Sequence, residues 1–234
     1  MSILGESFTA AGYLAGAAVF WLEMRRKKTN TEGMAILAAV GFLSGTIGAK
    51  VSQLIFQGAS FDAFFRPELG GRAVFGGVLF GWLGVEIAKR IMGVKRSLGD
   101  AFALALPIGE GIGRIGCLIN GCCYGRECKG LPWAIFQHEA WRHPSQIYSF
   151  IGCAAIASVV FVLRDKPQWK DKLFMLYLGL FGFARFIVEF FREPSSGFFG
   201  LSVMQWICIE LMISSAVVLW IKFRREGQSE QQGG

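Results

Sequence analysis

Two arginines lie inside strongly apolar stretches of the sequence, and each has a glutamate four residues away. Arg114 follows Glu110, and Arg185 precedes Glu189. Residues four apart share one face of a helix, so each arginine can be partly neutralised on its own helix. Guanidinium groups bind phosphate through paired hydrogen bonds. The pattern allows two interpretations: ion pairs that hold helices together, or a cationic pocket in which both arginines bind one anion.

Glycines surround Arg114 at a spacing that also has two interpretations. Gly109 and Gly113 form one G-x-x-x-G pair, and Gly121 and Gly125 form another. Small residues at this spacing let helices approach closely in a membrane. They also leave backbone N–H groups free to meet an anion where a helix breaks. If these residues lie in a membrane, the phosphate that is always available to them is a phospholipid headgroup. An anionic phospholipid is therefore the expected ligand.

The composition places these residues in a membrane protein. Of the 234 residues, 53% are hydrophobic and only 18% are charged, and the mean hydropathy is +0.45. Soluble domains carry about 25% charged residues. A soluble enzyme, a disordered chain and a small disulfide-rich scaffold are therefore excluded. The sequence predicts an all-α, polytopic membrane protein, in which a net charge of +7 does not by itself indicate nucleic-acid binding.

Seven apolar segments are long enough, or nearly so, to cross a bilayer, which takes about 20 residues per helix. They cover residues 8–24, 34–53, 73–88, 101–119, 146–163, 173–191 and 201–221. We expect a single transmembrane domain over residues 1–225, with a short extracytoplasmic loop near 118–145. The polar, Gln- and Gly-rich residues 226–234 are predicted to be a disordered cytoplasmic tail.

The basic residues indicate an orientation. Fifteen of the 24 Lys and Arg residues follow the odd-numbered spans, and six follow the even-numbered ones. Basic residues accumulate on the cytoplasmic side. The sequence therefore predicts an N-terminus outside the cytoplasm and a C-terminus inside it, in the cytoplasmic (inner) membrane of a bacterium. The excess of positive charge is then a topology signal, and no nucleic-acid partner is predicted.

Four cysteines cluster on the predicted outer side, which is oxidising in most bacteria. A disulfide from Cys128 to Cys117, Cys122 or Cys123 is the favoured interpretation. A zinc site is disfavoured because no C-x-x-C pair is present, and a catalytic thiol is a third alternative. The sequence thus predicts no metal and no cofactor.

Several segments together resemble the bacterial prolipoprotein diacylglyceryl transferases. Residues 113–126 carry Gly-Arg-Ile-Gly, Asn-Gly and Tyr-Gly-Arg, similar to the signature of that family. Residues 142–148 resemble its RHPSQLYE segment, residues 185–194 its penultimate-helix motif, and residues 201–205 its LSMGQ segment. The glycine pairs 70–71 and 76–77 fall near its glycine-paired loop.

The resemblance implies transfer of a diacylglyceryl group from phosphatidylglycerol to the thiol of a lipobox cysteine, with the active site facing the outer leaflet. It supports Arg114 and Arg185 as catalytic cations, and His143 is the candidate base, or alternatively a helix-start residue. Eight further residues are the candidates for binding substrate: Glu110, Asn120, Gly121, Gly125, Glu189, Arg192, Gly76 and Gly77.

The chain departs from the family pattern at polar positions. Phe75 stands where the family has a histidine, Cys117 where it has an asparagine, and Cys122 where it has an acidic residue. Three functions therefore stay open: lipoprotein diacylglyceryl transfer, transfer from the same lipid to another acceptor such as a lipid or glycan hydroxyl, and phospholipid binding without catalysis.

Overall fold

The computed structural model describes residues 2–27, 31–57, 74–94, 97–192 and 197–232. The predicted interfacial segment 60–65, Gly70 and Gly71 lie outside the described residues, as does the side chain of Phe75.

The described chain is mostly helical, in line with the predicted class. Its seven α-helices are α1 (Ile3–Arg26), α2 (Thr31–Gln57), α3 (Val74–Ile91), α4 (Gly99–Ile119), α5 (Ser145–Leu163), α6 (Leu173–Glu189) and α7 (Val203–Gln232). Two short antiparallel hairpins precede α5 and α7. They pair β1 (Ile135–Gln137) with β2 (Ala140–Arg142), and β3 (Gly197–Phe198) with β4 (Leu201–Ser202).

Within the described residues, five helical segments are long and apolar enough to cross a membrane: Ile3–Arg26, Ala35–Ser52, Gly99–Ile119, Ser145–Leu163 and Val203–Gln228. The remaining two helices are less suited by length or charge. Helix α3 has 18 residues and includes Glu86, Lys89 and Arg90, while α6 has 17 residues. The chain is a multi-pass membrane protein.

Contacts divide the chain into two compact units, where the sequence predicted one domain. One unit comprises residues 1–20 and 97–234, and the other comprises residues 21–96. In the smaller unit, α2 packs along α3 through small residues. A Cβ atom at Gly45 would lie 3.0 Å from the carbonyl oxygen of Gly77, and one at Gly81 would lie 3.2 Å from that of Gly41. Backbone therefore lies against backbone, as small residues allow in membranes.

The larger unit uses the same device at its helix contacts. A Cβ atom at Gly12 of α1 would lie 2.5 Å from the carbonyl oxygen of Gly109 in α4, and one at Gly182 of α6 would lie 3.0 Å from that of Cys208 in α7. Between α5 and α6, a Cβ atom at Gly152 would come within 3.3 Å of the Ala184 side chain. The helices that carry the arginines are thereby held close to their neighbours.

Helix α7 continues to Gln232, so residues 226–232 are helical where the sequence predicted disorder. Glutamine and glutamate favour helices, and one ion pair fixes the start of this segment. Lys172 Nζ lies 2.5 Å from Glu226 Oε2, with only 1% of the Lys172 side chain exposed. The sequence prediction considered composition alone and missed this partner.

Candidate active site

Helix α4 carries the first predicted arginine on a buried ion pair. Arg114 Nη2 lies 2.5 Å from Glu110 Oε1, and 11% of the arginine and 13% of the glutamate side chain are exposed. The spacing of four residues puts both groups on one helix face, as the sequence predicted. Among the described residues, the buried Nε of Arg114 has no hydrogen-bond partner. A buried donor without a hydrogen bond destabilises the protein, and it is suited to bind a ligand oxygen.

Helix α6 carries the second arginine on a similar pair, extended into a network. Arg185 Nη2 lies 2.8 Å from Glu189 Oε2, and Arg192 Nε lies 3.8 Å from the same oxygen. Ser202 Oγ donates a hydrogen bond of 3.3 Å to Glu189 Oε1. Glu189 therefore forms ion pairs with both arginines, while its Oε1 accepts the hydrogen bond from Ser202; among the described residues, its buried Oε2 accepts no hydrogen bond.

The start of α7 is fixed by a capping box that the sequence analysis did not identify. Gln205 N–H donates to Ser202 Oγ at 3.1 Å, and Ser202 N–H donates to Gln205 Oε1 at 2.9 Å. The signal was available, because Ser-x-x-Gln before an apolar run is the signature of this motif. Ser202 thereby links the beginning of α7 to Glu189 at the end of α6.

The two arginines lie close enough for their charges to interact, and Arg192 acts on Arg185 in the same way. Helices α4 and α6 thus bring together three guanidinium groups and two carboxylates. These five groups carry a net charge of +1, which attracts an anion, either a nearby thiolate or a bound phosphate. Whether Arg114 and Arg185 share a phosphate-binding cavity stays a prediction.

Helix α4 ends in a Schellman motif that folds the cysteine segment back on the helix. Gly121 has a φ of 64°, and its N–H donates to Leu118 O at 3.2 Å. The N–H of Cys122 donates to Cys117 O at 3.1 Å. These are the two hydrogen bonds that define the motif, and glycine suits its left-handed position. Gly121 therefore acts in the structure as the residue that turns the chain.

The turn brings together three cysteines, with their sulfur atoms within 4.8 Å of one another: Cys117, Cys122 and Cys123. All six cysteines of the chain are unbridged, so the predicted disulfide of Cys128 is not present. Cys128 lies further along the loop, where its N–H donates to Trp141 O at 2.9 Å. The reversal at Gly121, which spacing alone does not reveal, decides which cysteines meet.

Hydrogen bonds from the neighbouring thiols favour the ionised form of Cys123. Those from Cys117 and then Cys122 lower its pKa well below the ordinary value, and the positive charges of Arg114 and Arg192 act in the same direction. Thiolates are the reactive and metal-binding form of cysteine. The cysteine cluster therefore lies close enough to Arg114 and Arg192 for their charges to stabilise a thiolate.

Residues of the Arg-His-Pro-Ser-Gln segment hold this turn from the other side. Ser145 Oγ donates to Cys123 O at 2.6 Å, and Gln146 Nε2 donates to Cys122 O at 2.8 Å. Both residues are only 1% exposed. Sequence analysis included them in the resemblance but assigned them no role. Their position explains why Ser and Gln stand at the first two positions of α5.

Gly125 and Arg126 connect the same loop to the segment before α5 and to the residues after α6. Gly125 N–H donates to His143 O, and Arg126 N–H donates to Phe191 O at the end of α6. A Cβ atom at Gly125 would lie 2.5 Å from both of these carbonyl oxygens. Gly125 is thus needed for a close approach of three chain segments.

His143, the predicted base, is buried at the start of α5. Its Nδ1 lies 3.2 Å from Tyr148 Oη, which also accepts a hydrogen bond of 2.9 Å from Trp133 Nε1. Burial, with a smaller contribution from the charge of Arg126, lowers the pKa of His143 below its ordinary value. The ring is therefore neutral at pH 7 and able to accept a proton.

His143 and Tyr148 are among the residues that line a large apolar cavity between α5 and α6. Its volume is about 670 Å³, and its other walls include Ile151, Phe183 and Phe191. Neither predicted arginine lines this cavity. Its size and lining are those of a site for an apolar ligand.

The other predicted residues have structural partners. Asn120 Oδ1 accepts hydrogen bonds from the N–H of Ser2 at 2.8 Å and from its hydroxyl at 3.0 Å, so it is tied to the N-terminus. Gly76 and Gly77 belong to the α2–α3 pair, where a Cβ atom at Gly77 would lie 3.3 Å from the side chain of Ala49. Their proposed contacts with substrate stay predictions.

Comparison with known proteins supports the resemblance seen in the motifs. The family model described as prolipoprotein diacylglyceryl transferase matches residues 7–221. Proteins named phosphatidylglycerol–prolipoprotein diacylglyceryl transferase are similar over most of their length. The one from Methylobacillus flagellatus is 36% identical over 88% of this chain and 83% of its own. Those from Aeromonas salmonicida and Clostridium tetani are each 30% identical, and cover 91% and 90% of this chain and 84% and 90% of their own, respectively. The predicted membership is confirmed: the chain belongs to the prolipoprotein diacylglyceryl transferase family.

Proposed function

We propose that this protein transfers a diacylglyceryl group from phosphatidylglycerol to the cysteine thiol of a prolipoprotein lipobox. The observation that carries the proposal is the buried Arg114, whose Nε has no hydrogen-bond partner among the described residues and whose charge acts together with that of Arg185. A buried donor left without a hydrogen bond costs about 1–3 kcal/mol. Both glutamate partners are already engaged, so a bound phosphate is a suitable source of the remaining stabilisation.

The chemistry follows from where charge develops. The acceptor sulfur, as a thiolate, attacks the glyceryl carbon next to the phosphodiester oxygen. A C–S bond forms, the C–O bond breaks, and glycerol phosphate leaves with the electron pair. Arg114 and Arg185 are suited to stabilise the leaving phosphate, because fixed cations in a dry site act most strongly on developing charge. Glu110 and Glu189 orient the two guanidinium groups.

The apolar cavity between α5 and α6 is suited to hold an acyl chain of the donor lipid. Its lining includes His143, which is neutral at pH 7 because burial lowers its pKa. In this assignment His143 accepts the thiol proton before the attack, so that the sulfur attacks as a thiolate. Tyr148, at 3.2 Å from His143 Nδ1, orients the ring.

The proposed topology has seven spans, an extracytoplasmic N-terminus and a cytoplasmic C-terminus, with the site facing the outer leaflet of the bacterial cytoplasmic membrane. Support comes from the five long apolar helices and from the asymmetry of Lys and Arg. In cells whose only cysteine is Cys128, an impermeant thiol reagent should label the protein without permeabilisation. A cysteine introduced by Gly227→Cys in the same background should react only after permeabilisation, and the reverse result would overturn the topology.

The second candidate function is transfer to a different acceptor, and the sequence observation that favours it is Phe75 in place of the family's histidine. Both functions share the donor site, so the test must vary the acceptor. Purified protein is incubated with phosphatidylglycerol and a lipobox peptide that contains either cysteine or serine. Transfer to the cysteine peptide alone supports the lipoprotein function. Release of glycerol phosphate without peptide modification favours another acceptor.

Complementation of a strain depleted of its own diacylglyceryl transferase tests the function in cells. We expect growth to be restored by the unaltered protein and by a matched control, Arg224→Lys, at the far end of α7. Arg114→Lys should fail, because lysine keeps the charge but loses the planar fork. Phospholipid binding measured by native mass spectrometry separates loss of binding from loss of catalysis. Undiminished phosphatidylglycerol binding by the Arg114→Ala/Arg185→Ala double variant would contradict the phosphate pocket and leave the two pairs as helix glue.

A further inference from the structure

The backbone fixes the positions of the three clustered cysteines. Cys122 and Cys123 are brought back to Cys117 by the Schellman turn, and their sulfur atoms lie within 4.8 Å of one another. Cys123 has a φ of 57°, a left-handed conformation that non-glycine residues rarely adopt. The surrounding structure holds this strained residue in place, which is common at functional sites.

The backbone that carries the cysteines is itself fixed by buried side chains. The carbonyl oxygens of Cys122 and Cys123 each accept a hydrogen bond from the start of α5, donated by Gln146 and Ser145. Metal sites depend on such support, because the groups behind the ligands set the ligand orientation and strengthen binding. The cluster therefore needs little rearrangement to receive an ion.

The donor set selects a thiophilic metal. In a tetrahedral zinc site the Zn–S distance is about 2.3 Å, which places sulfur atoms about 3.8 Å apart. The observed sulfur atoms would have to close by about 1 Å or less. Calcium and magnesium prefer oxygen ligands, and no carboxylate of the described residues belongs to this group.

We propose that Cys117, Cys122 and Cys123 bind one Zn²⁺ ion as thiolates and leave its fourth coordination position open. Three protein ligands with an open fourth position are characteristic of catalytic zinc sites. Three thiolates and Zn²⁺ carry a net charge of −1, and the charges of Arg114 and Arg192, which act on Cys123, offset it. All three cysteines are partly exposed, so an ion can reach them.

The open position suits the acceptor of the proposed reaction, and this part of the inference rests on the proposed function. An acceptor thiol that binds zinc gives up its proton to His143, the base of the proposed reaction, and stays bound as a thiolate. Its lone pair then attacks the glyceryl carbon, the C–O bond breaks, and glycerol phosphate leaves with the electron pair. The free thiol has a pKa of about 8.5, so coordination would supply a thiolate at neutral pH.

Metal content tests the site directly. The full-length protein is purified in detergent without chelator, and bound metals are measured by mass spectrometry. We expect one zinc per chain in the unaltered protein and in Cys128→Ser, the matched control outside the cluster. Serine at any of the three cluster positions should weaken zinc binding by more than about 10-fold. Zinc retention by all three serine variants, or copper in place of zinc in the unaltered protein, would overturn the proposal.

A spectroscopic measurement on the unaltered protein does not depend on how variants fold. After zinc is removed and replaced by Co²⁺, sulfur-to-cobalt charge transfer should appear in the near ultraviolet, with the visible bands of tetrahedral cobalt. A spectrum without sulfur-to-cobalt bands would contradict ligation by the cysteines.

The fourth position is tested without lipid, so that no transfer can occur. A lipobox peptide containing cysteine should shift the visible cobalt bands, whereas the same peptide with serine should not. Transfer is measured separately, with phosphatidylglycerol present. If that assay shows transfer and the cysteine peptide causes no shift of the cobalt bands, the proposed function stands and the role of the open position is excluded. If the shift is present and transfer is absent, the metal site stands and the proposed function is excluded.

Discussion

The two compact units use the same packing device around very different contents. In the α2–α3 pair, glycines such as Gly45 and Gly77 bring backbone against backbone, and the ion pair Glu86–Lys89 lies at the end of the helix with 38% of the glutamate side chain exposed. In the larger unit, Glu110–Arg114 and Arg185–Glu189 lie within apolar helices, and at most 17% of any of these side chains is exposed. Close packing alone therefore does not mark a site. The larger unit differs because both members of each of these pairs are buried, whereas in the smaller unit one member of each described pair is more exposed: 38% of Glu86 and 35% of Arg26.

The largest effect on transfer activity should come from removing a buried cation in the larger unit. Arg114→Ala removes a cation from the leaving phosphate and strands Glu110, so we expect transfer to fall by at least about 100-fold. Lys89→Ala removes the corresponding cation from the smaller unit, where its partner Glu86 is 38% exposed and the pair is therefore weak, and should change transfer by less than about twofold. Initial rates with phosphatidylglycerol and a lipobox peptide decide between them. Equal losses in both variants would erase the contrast.

The packing device itself should be sensitive in the smaller unit. Gly45→Leu places a large side chain where a Cβ atom is already 3.0 Å from Gly77 O, and overpacking of this kind costs about 1–3 kcal/mol. We expect a lower thermal midpoint and reduced yield of monodisperse protein. Gly227→Ala is the matched control, because nothing lies within 4 Å of a Cβ atom there. A Gly45→Leu protein as stable as this control would show that α2 and α3 do not need the close approach.

A smaller effect is expected from the capping box in the larger unit. Ser202→Ala removes the acceptor for Gln205 N–H and a donor to Glu189, at a cost of about 1 kcal/mol in stability. Because Glu189 then orients Arg185 less firmly, kcat should fall more than the lipid affinity. Ser202→Thr keeps the hydroxyl and should restore both values. Loss of stability with unchanged kcat would limit Ser202 to a purely structural role.

The smallest effect is a pH dependence from His143. Burial lowers its pKa in the folded state, so the unfolded chain binds a proton at a higher pH than the folded one does. The stabilisation from the neutral ring is therefore fully present above about pH 6.5, the unfolded value, and is lost as the pH falls through the lower folded value. Thermal midpoints of the unaltered protein should fall between pH 7 and pH 5 more steeply than those of His143→Gln. Parallel curves would contradict the assignment.

Local spacing predicted the parts of the site that depend on one helix. The four-residue separations of Glu110–Arg114 and Arg185–Glu189 placed each pair on one face, and the structure contains both ion pairs. Hydropathy likewise predicted a mainly helical membrane protein, although α3 and α6 are shorter or more charged than the other helices.

The cysteine arrangement could not be predicted in the same way. It depends on a reversal at Gly121 and on hydrogen bonds from residues more than 20 positions away. The partner of Glu226 was missed for the same reason, because Lys172 lies 54 residues away along the chain. The capping box at Ser202 was local and readable from its spacing.

The tie at Gly125 has a consequence for the order of events during synthesis. The segment just after α4 has all its hydrogen bonds only when Arg126 N–H can reach Phe191 O, 65 residues later in the chain. A nascent chain that ends before α6 therefore has Arg114 in its helix but lacks Phe191, the residue after α6 whose carbonyl oxygen accepts the hydrogen bond from Arg126. We expect the site to mature late, after α6 has entered the membrane, so that an incomplete chain in the bilayer cannot begin the reaction.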